Sequence, residues 1–298
     1  QKYGIMTPQQ TTYCPGFFTL PGSSNKYRDD EVHHDVDMRS AISRSCDVYF
    51  YRLAEKMGID RMHEFMSAFG YGELTGIDIP GEKPGLYASP EWKRKVFKRK
   101  ADQVWFPGET VSMGIGQGPI TVTPLQQAHF AAEIAERGQI VAAPRLVAAT
   151  RAPGSVTIVP RNPTLMKPVN IATDEQWSVI FDGMESAVTT GTAHASGVGA
   201  KYKWAGKTGT AQVVTVKQTE STKHKDADER KREHAWFIAF APADDPKIAI
   251  SVLVENAGFG AANAAPIARK VIDSYLLADE AAEPKKNSAE LGSATNSP

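Results

Sequence analysis

At 298 residues the chain is long enough for one large domain or two small ones around a sizeable core. Its 41% hydrophobic and 23% charged residues fit an ordinary globular protein. Thirty-four basic residues balance 34 acidic ones, which leaves no field to draw nucleic acid or an anionic membrane. No apolar run approaches the ~20 residues of a membrane helix. Position 1 is Gln with no signal-like segment after it, so any export signal or anchor is expected upstream of the chain.

Residues 1–36 read as irregular, punctuated by Pro8, Pro15, Gly16, Pro21 and Gly22. Helical periodicity is predicted from the N-cap Asp37 through Ile42, again over 48–54, and ends at Gly58. Asp60 is read as the cap of a short helix over 61–69 that stops at Gly70. Ser89-Pro90 and Thr123-Pro124 carry the signature of a capped helix with Pro at its first position. Thr173 with Gln176 forms a capping box for a helix to about residue 188.

The texture then changes. Residues 208–216, 235–241 and 247–254 are rich in β-branched and aromatic side chains and read as strands. Ala243-Asp244-Asp245-Pro246 supplies the turn between the last two. The charged stretch 217–233 reads as a long exposed loop. A closing helix over 266–277 precedes a polar tail, 279–298, expected to be disordered. No internal repeat is present. Helices first, then antiparallel strands, then a helix predict an α/β or α+β two-layer domain over 1–278.

Two motifs carry chemistry. In Lys207-Thr208-Gly209-Thr210, strand alternation sends Lys207 and Gly209 to one face and both threonines to the other. Gly209 leaves room for a ligand backbone alongside the strand. The plainer reading is a solvated lysine at a strand start. In Ser45-Cys46-Asp47, the two polar side chains would face apart on one helix. They converge only if a break separates a helix ending before Ser45 from one starting near Asp47. The competing reading makes Asp47 an N-cap and nothing more.

In this order the motifs resemble a known set. Penicillin-binding proteins and class A β-lactamases combine Ser-x-x-Lys, Ser-x-Asn and Lys-Thr-Gly. With Ser-x-Asp as the second motif, the chain looks like a class B penicillin-binding protein of the penicillin-binding protein 2 type. Tyr49-Phe50-Tyr51-Arg52-Leu53-Ala54, Phe69-Gly70-Tyr71-Gly72, Thr75-Gly76-Ile77-Asp78, Gly114-Ile115-Gly116-Gln117-Gly118 and His234-Ala235-Trp236-Phe237 extend the likeness. The resemblance implies a serine β-lactamase/transpeptidase-like fold, an antiparallel sheet flanked by helices. It implies peptidoglycan D,D-transpeptidation at the periplasmic face of the bacterial inner membrane. Stem peptides and β-lactams would be ligands, and membrane proteins of the elongation machinery partners. Ser45, Asp47 and Lys207 would be catalytic: Ser45 relaying protons, Asp47 orienting the substrate amide, Lys207 holding Ser45 and the substrate carboxylate. Thr208 and Thr210 would bind that carboxylate beside Gly209, and the Thr210 N–H would complete an oxyanion hole. A non-catalytic penicillin-binding sensor and a serine β-lactamase are the alternatives.

One string fits Ser-x-x-Lys: Ser23-Ser24-Asn25-Lys26. It is rejected on placement, because the nucleophile should open a long helix with an apolar stripe, and Tyr27-Arg28-Asp29-Asp30-Glu31 offers none. The acylated serine is therefore expected before residue 1, and this chain is expected not to be acylated. Gly114-Ile115-Gly116-Gln117-Gly118 lacks the preceding strand and following Lys of a phosphate loop; the resemblance implies instead that it lies beside the cleft and shapes it.

Both cysteines lie in the first 50 residues with aspartates and histidines between them. A structural zinc on Cys14, Asp29, His34 and Cys46, with His33 as the substitute for His34, competes with a disulfide and with free thiols. Metal there would tie the loop to the turn that holds Ser45 and Asp47. No cofactor is expected for the chemistry itself.

Overall fold

The computed structural model describes residues 2–213, 230 and 232–278. The first 36 residues fold as short antiparallel strands: β1 (Thr12–Cys14), β2 (Phe17–Thr19), β3 (Lys26–Arg28) and β4 (His34–Val36). β1 pairs with β4 and β2 with β3. Strands of three residues are too short to show an alternation in sequence, which is why this region reads as irregular.

Helices follow: α1 (Met38–Arg44), α2 (Asp47–Met57) and α3 (Ile59–Ser67). Asp37 caps α1 through a reciprocal box with Ser40. Gly58, at φ +72°, both ends α2 and precedes α3. Asp60 therefore sits in the first turn of α3 rather than capping it, where its negative charge faces the positive helix end.

The segment β5 (Leu86–Tyr87), α4 (Pro90–Val96), α5 (Pro107–Met113), β6 (Ile120–Thr121) and α6 (Pro124–Ala135) comes next. Ser89 and Thr123 cap α4 and α6 through their side chains. The β7 (Ala149–Thr150) and β8 (Val159–Pro160) pair leads to α7 (Asp174–Thr189), capped by Thr173 and Gln176, and to α8 (His194–Gly197).

The principal sheet is antiparallel, in the order β11 (Ile248–Val254), β10 (His234–Ala241), β9 (Ala205–Ala211). Alternation in β10 builds two cores. Ala235, Phe237, Ala239 and Ala241 face one side with Ala265, Ala268 and Ile272 of α10 (Ala265–Leu276), which follows the short α9 (Gly260–Asn263). Phe240 faces the other side with Ile42 of α1, Ile134 of α6 and Phe181 of α7. The Phe181 and Phe240 rings lie 4.9 Å apart. Fully burying each phenylalanine is worth roughly 1.5–3 kcal/mol. α1 lies close on α7 because Gly183 leaves its Cβ volume to Ile42.

β9 begins at Ala205, earlier than the 208 read from sequence, and residues 214–216 lie outside the described ones. Ala and Gly are poor strand formers by propensity. Packing overrides this, because a Cβ on Gly206 would collide with the Phe237 ring. The loop 217–233 falls almost wholly outside the described residues, and the tail 279–298 entirely.

Candidate active site

The turn Ser45-Cys46-Asp47 is a true break between helices. The Cys46 N–H donates to the Ala41 carbonyl (2.9 Å) and the Ser45 N–H to that of Ile42 (3.3 Å), the paired bonds of a Schellman ending. That ending usually belongs to glycine. Here Ser45 occupies the left-handed region at φ +58°, ψ +45°, a cost of roughly 1–2 kcal/mol for a residue with a Cβ. Cys46 returns to extended backbone and precedes α2. Asp47 is thus the first helical residue rather than the N-cap, and the capping oxygen comes from elsewhere: Asp29 Oδ2 accepts from the Val48 N–H at 3.0 Å.

The strained serine meets the strand. Lys207 Nζ donates to Ser45 Oγ at 2.8 Å across 162 residues of sequence, and to the Thr208 carbonyl at 2.9 Å. Burial lowers the Lys207 ammonium to about 8, against the opposing pull of Asp47. Burial likewise raises the Asp47 carboxyl to about 8, with Asp29 and Asp30 adding to the rise and Lys207 resisting it. Two groups of opposite charge type are thereby brought to titrate in one range, a frequent mark of functional sites.

β9 is an edge strand among the described residues. The Thr208 and Thr210 carbonyls both bond to side chains rather than to β10, so these residues present their backbone groups to the outer edge. Thr208 Oγ1 lies 3.0 Å from Thr192 Oγ1. Thr192 rides on a turn whose N–H donates to the Ser43 carbonyl at 3.2 Å, and Gly191 allows the close approach to Ser43. Gly209 has a further neighbour: a Cβ there would lie 3.2 Å from Trp236 Cβ. Cross-strand packing accounts for this glycine at least as directly as ligand access.

Beneath the turn, Cys14, Asp29, His33 and Cys46 converge, with one ligand-type atom from each within 4.8 Å of the others. Cys14 Sγ is 3.3 Å from Asp29 Oδ2 and 3.7 Å from His33 Nδ1; Cys46 Sγ is 3.4 Å from Asp29 Oδ2. His33 replaces the His34 of the sequence reading. The left-handed φ of +58° at His34 turns its ring outward, exposed beside Tyr13, whereas His33 is 4% exposed. Both thiols are free and buried, and burial pushes the Cys46 thiol far up.

Ser23-Ser24-Asn25-Lys26 lies in the β2–β3 turn. Lys26 opens a strand with its Nζ 4.4 Å from the centre of the Phe17 ring, not one helical turn beyond a serine.

The model of the penicillin binding protein transpeptidase domain matches residues 2–273. The chain belongs to that family. It is 40% identical over 280 residues to the peptidoglycan D,D-transpeptidase MrdA of Haemophilus influenzae, covering 93% of this chain and 42% of the relative. For the MrdA of Acinetobacter baumannii the identity is 42% over 278 residues, covering 92% and 40%. The structure of Pseudomonas aeruginosa PBP2 in complex with WCK 5153 is similar at a TM-score of 0.79 and 39% identity, covering 97% of this chain and 58% of that one. The chain thus spans about two fifths of the length of these curated relatives. The mixed helix and antiparallel-sheet architecture expected of a penicillin-binding transpeptidase domain is the one observed.

Among the described residues of this transpeptidase domain no helix is long and apolar enough to cross a membrane. Sequence reading missed Thr192, whose contact depends on chain segments meeting at long range. The glycine-rich string that the resemblance sets beside the cleft meets β9 through Gln117.

Proposed function

We propose that this chain supplies the substrate edge of a peptidoglycan D,D-transpeptidase. The observation that carries the reading is the Lys207–Ser45 contact, 2.8 Å between the ammonium of a half-buried lysine and a hydroxyl on a strained turn. The nucleophile of the proposed reaction is the serine of the family's Ser-x-x-Lys motif. That oxygen attacks the penultimate D-Ala carbonyl, the C–N bond breaks, and the terminal D-Ala leaves with a proton passed through Ser45 Oγ. The amine of a neighbouring stem then attacks the ester, loses its proton by the same route, and frees the serine. Lys207, still largely protonated near pH 7 with its pKa at about 8, holds the hydroxyl and favours the substrate carboxylate. Thr208 and Thr210 would bind that carboxylate, and the outward Thr210 N–H suits the oxyanion that develops on attack. Asp47 would orient the substrate amide.

The Cys14, Asp29, His33 and Cys46 set fits a structural zinc. Tetrahedral zinc, with Zn–S about 2.3 Å and Zn–N or Zn–O about 2.0–2.1 Å, spaces its ligand atoms roughly 3.3–3.8 Å apart. Three of the separations here run from 3.3 to 3.7 Å, and all four ligand atoms lie within 4.8 Å of one another. The metal would supply no reacting group; it would fix Cys46 and with it Ser45 and Asp47 on either side. Metal analysis with and without reductant tests this, and two titratable thiols without zinc would dismiss it.

The family resemblance implies a place and partners, taken here as part of the proposal: the periplasmic face of the inner membrane, and membrane proteins of cell elongation. One similar structure is a complex of PBP2 with MreC from Helicobacter pylori. The decisive experiment is stem-peptide cross-linking by the longer polypeptide and its K207A variant. Cross-linking is expected to fall at least about 100-fold, the scale of losing one transition-state contact; unchanged turnover would end the reading. A fluorescent penicillin ester that persists excludes a β-lactamase, and stable labelling of Ser23 in this chain would move the nucleophile to the hairpin.

A further inference from the structure

The glycine-rich string Gly114-Ile115-Gly116-Gln117-Gly118 has a use unrelated to nucleotides. It wraps the end of α5, with the Gly116 N–H donating to the Met113 carbonyl and the Gln117 N–H to that of Ser112. Gly116 and Gly118 take φ of +76° and +82°, and Gly114 is pinned on α2, where a Cβ would lie 2.5 Å from Ala54 Cβ. Gln117 is left between two glycine bends with its side chain reaching β9. Gln117 Nε2 donates to the Thr210 carbonyl at 2.8 Å, and Gln117 Oε1 accepts from the Gln212 N–H at 3.4 Å.

A carbonyl and the N–H two residues on, on one strand edge, are the acceptor and donor by which a sheet accepts an added chain. One carboxamide satisfies both, so it stands in for a peptide unit. We infer that Gln117 is a latch on the free edge of β9, which an extended peptide must displace to pair with Thr210 and Gln212. The inference rests on the reading of β9 as the peptide-binding edge. It adds that the edge is occupied in the ligand-free protein, which protects exposed strand hydrogen-bonding groups from unrelated chains and sets a threshold that a ligand must exceed.

The test uses the 298-residue chain, the probe diacetyl-L-Lys-D-Ala-D-Ala, and the variants Gln117→Ala and Gln117→Glu. Gln117→Glu keeps length but loses the donor to Thr210. Without peptide, the Gln212 N–H should exchange with solvent faster in Gln117→Ala than in wild type. Peptide affinity should rise roughly 3- to 10-fold in Gln117→Ala, the factor set by the net worth of the hydrogen bonds released. Gln117→Glu should also bind more tightly than wild type, by a smaller factor. Unchanged exchange at Gln212, or equal or weaker peptide binding in Gln117→Ala than in wild type, overturns the latch alone. If wild type and both variants all fail to bind the peptide, the reading of the edge fails and takes the latch with it.

Discussion

The thiol–imidazole cluster and the lysine–serine contact are neighbours built on opposite plans. Every member of the cluster lies between Cys14 and Cys46, brought together by two pairs of three-residue strands and the start of α2. The Lys207–Ser45 contact spans 162 residues and exists only because α1 packs on α7 and α7 on β9. One site is fixed by local loop geometry, the other by the assembly of the core. They nonetheless share a peptide segment, because Cys46 sits between Ser45 and Asp47. A disturbance of the local site should therefore reach the long-range one, whereas the reverse need not hold.

The largest effect should come from the long-range partner. Lys207→Ala is expected to weaken binding of a D-Ala-D-Ala peptide by at least about 30-fold, since a buried charge-assisted contact is lost. The thermal midpoint should stay level or rise, because removing the lysine also removes the cost of burying its ammonium. Peptide titration and thermal melting together check this. Binding within threefold of wild type would detach Lys207 from the ligand.

Cys46→Ala strikes the local site and should do both kinds of damage. Loss of a buried cluster member is expected to cost about 2–4 kcal/mol in chemical denaturation. Peptide binding should weaken in parallel as the Ser45 turn loosens. A destabilised variant that binds normally would show that the two sites are mechanically separate.

Proton titration tests the lysine–serine site directly. Above about pH 8 the buried Lys207 ammonium is lost and the Asp47 carboxylate forms. Both changes make the site more negative, so affinity for a carboxylate-terminated peptide should fall as pH rises through 8, by up to about tenfold per pH unit. Lys207→Arg, charged throughout, should flatten that fall. A wild-type profile level across this range would mean that neither group faces the ligand.

Local signals were the legible ones. Asp37, Ser89, Thr123 and Thr173 announce helix starts because a cap is a contact within one turn. The break at Ser45 was legible only as a condition: Ser and Asp had to converge, but the left-handed φ that achieves it has no sequence signature in a serine. The choice between His33 and His34 turned on a single backbone angle. Ala205-Gly206 was invisible as strand because its reason, the Phe237 ring, lies on another strand. The same holds for Thr192, whose partner comes from another segment of the chain.

The smallest predicted effect lies in the core, where it sharpens the contrast between a titrating pair at an edge and one with no ligand. His129 and Glu133 sit one turn apart on α6, 8% and 3% exposed, with His129 Nε2 3.6 Å from Glu133 Oε1. His129 Nε2 and Glu133 Oε2 lack hydrogen-bond partners. Burial raises Glu133 from 4.5 to about 7 and lowers His129. A carboxyl with a folded-state pKa above its unfolded value favours folding in its protonated form, fully below pH 4.5, and loses that contribution as pH rises through about 7. Wild type should therefore lose about 1–2 kcal/mol of stability between roughly pH 6 and 8.5 from this group. Glu133→Gln keeps the shape without the proton and should remove that part of the slope in denaturant titrations. Equal slopes in the two proteins would mean that Glu133 does not titrate in this window.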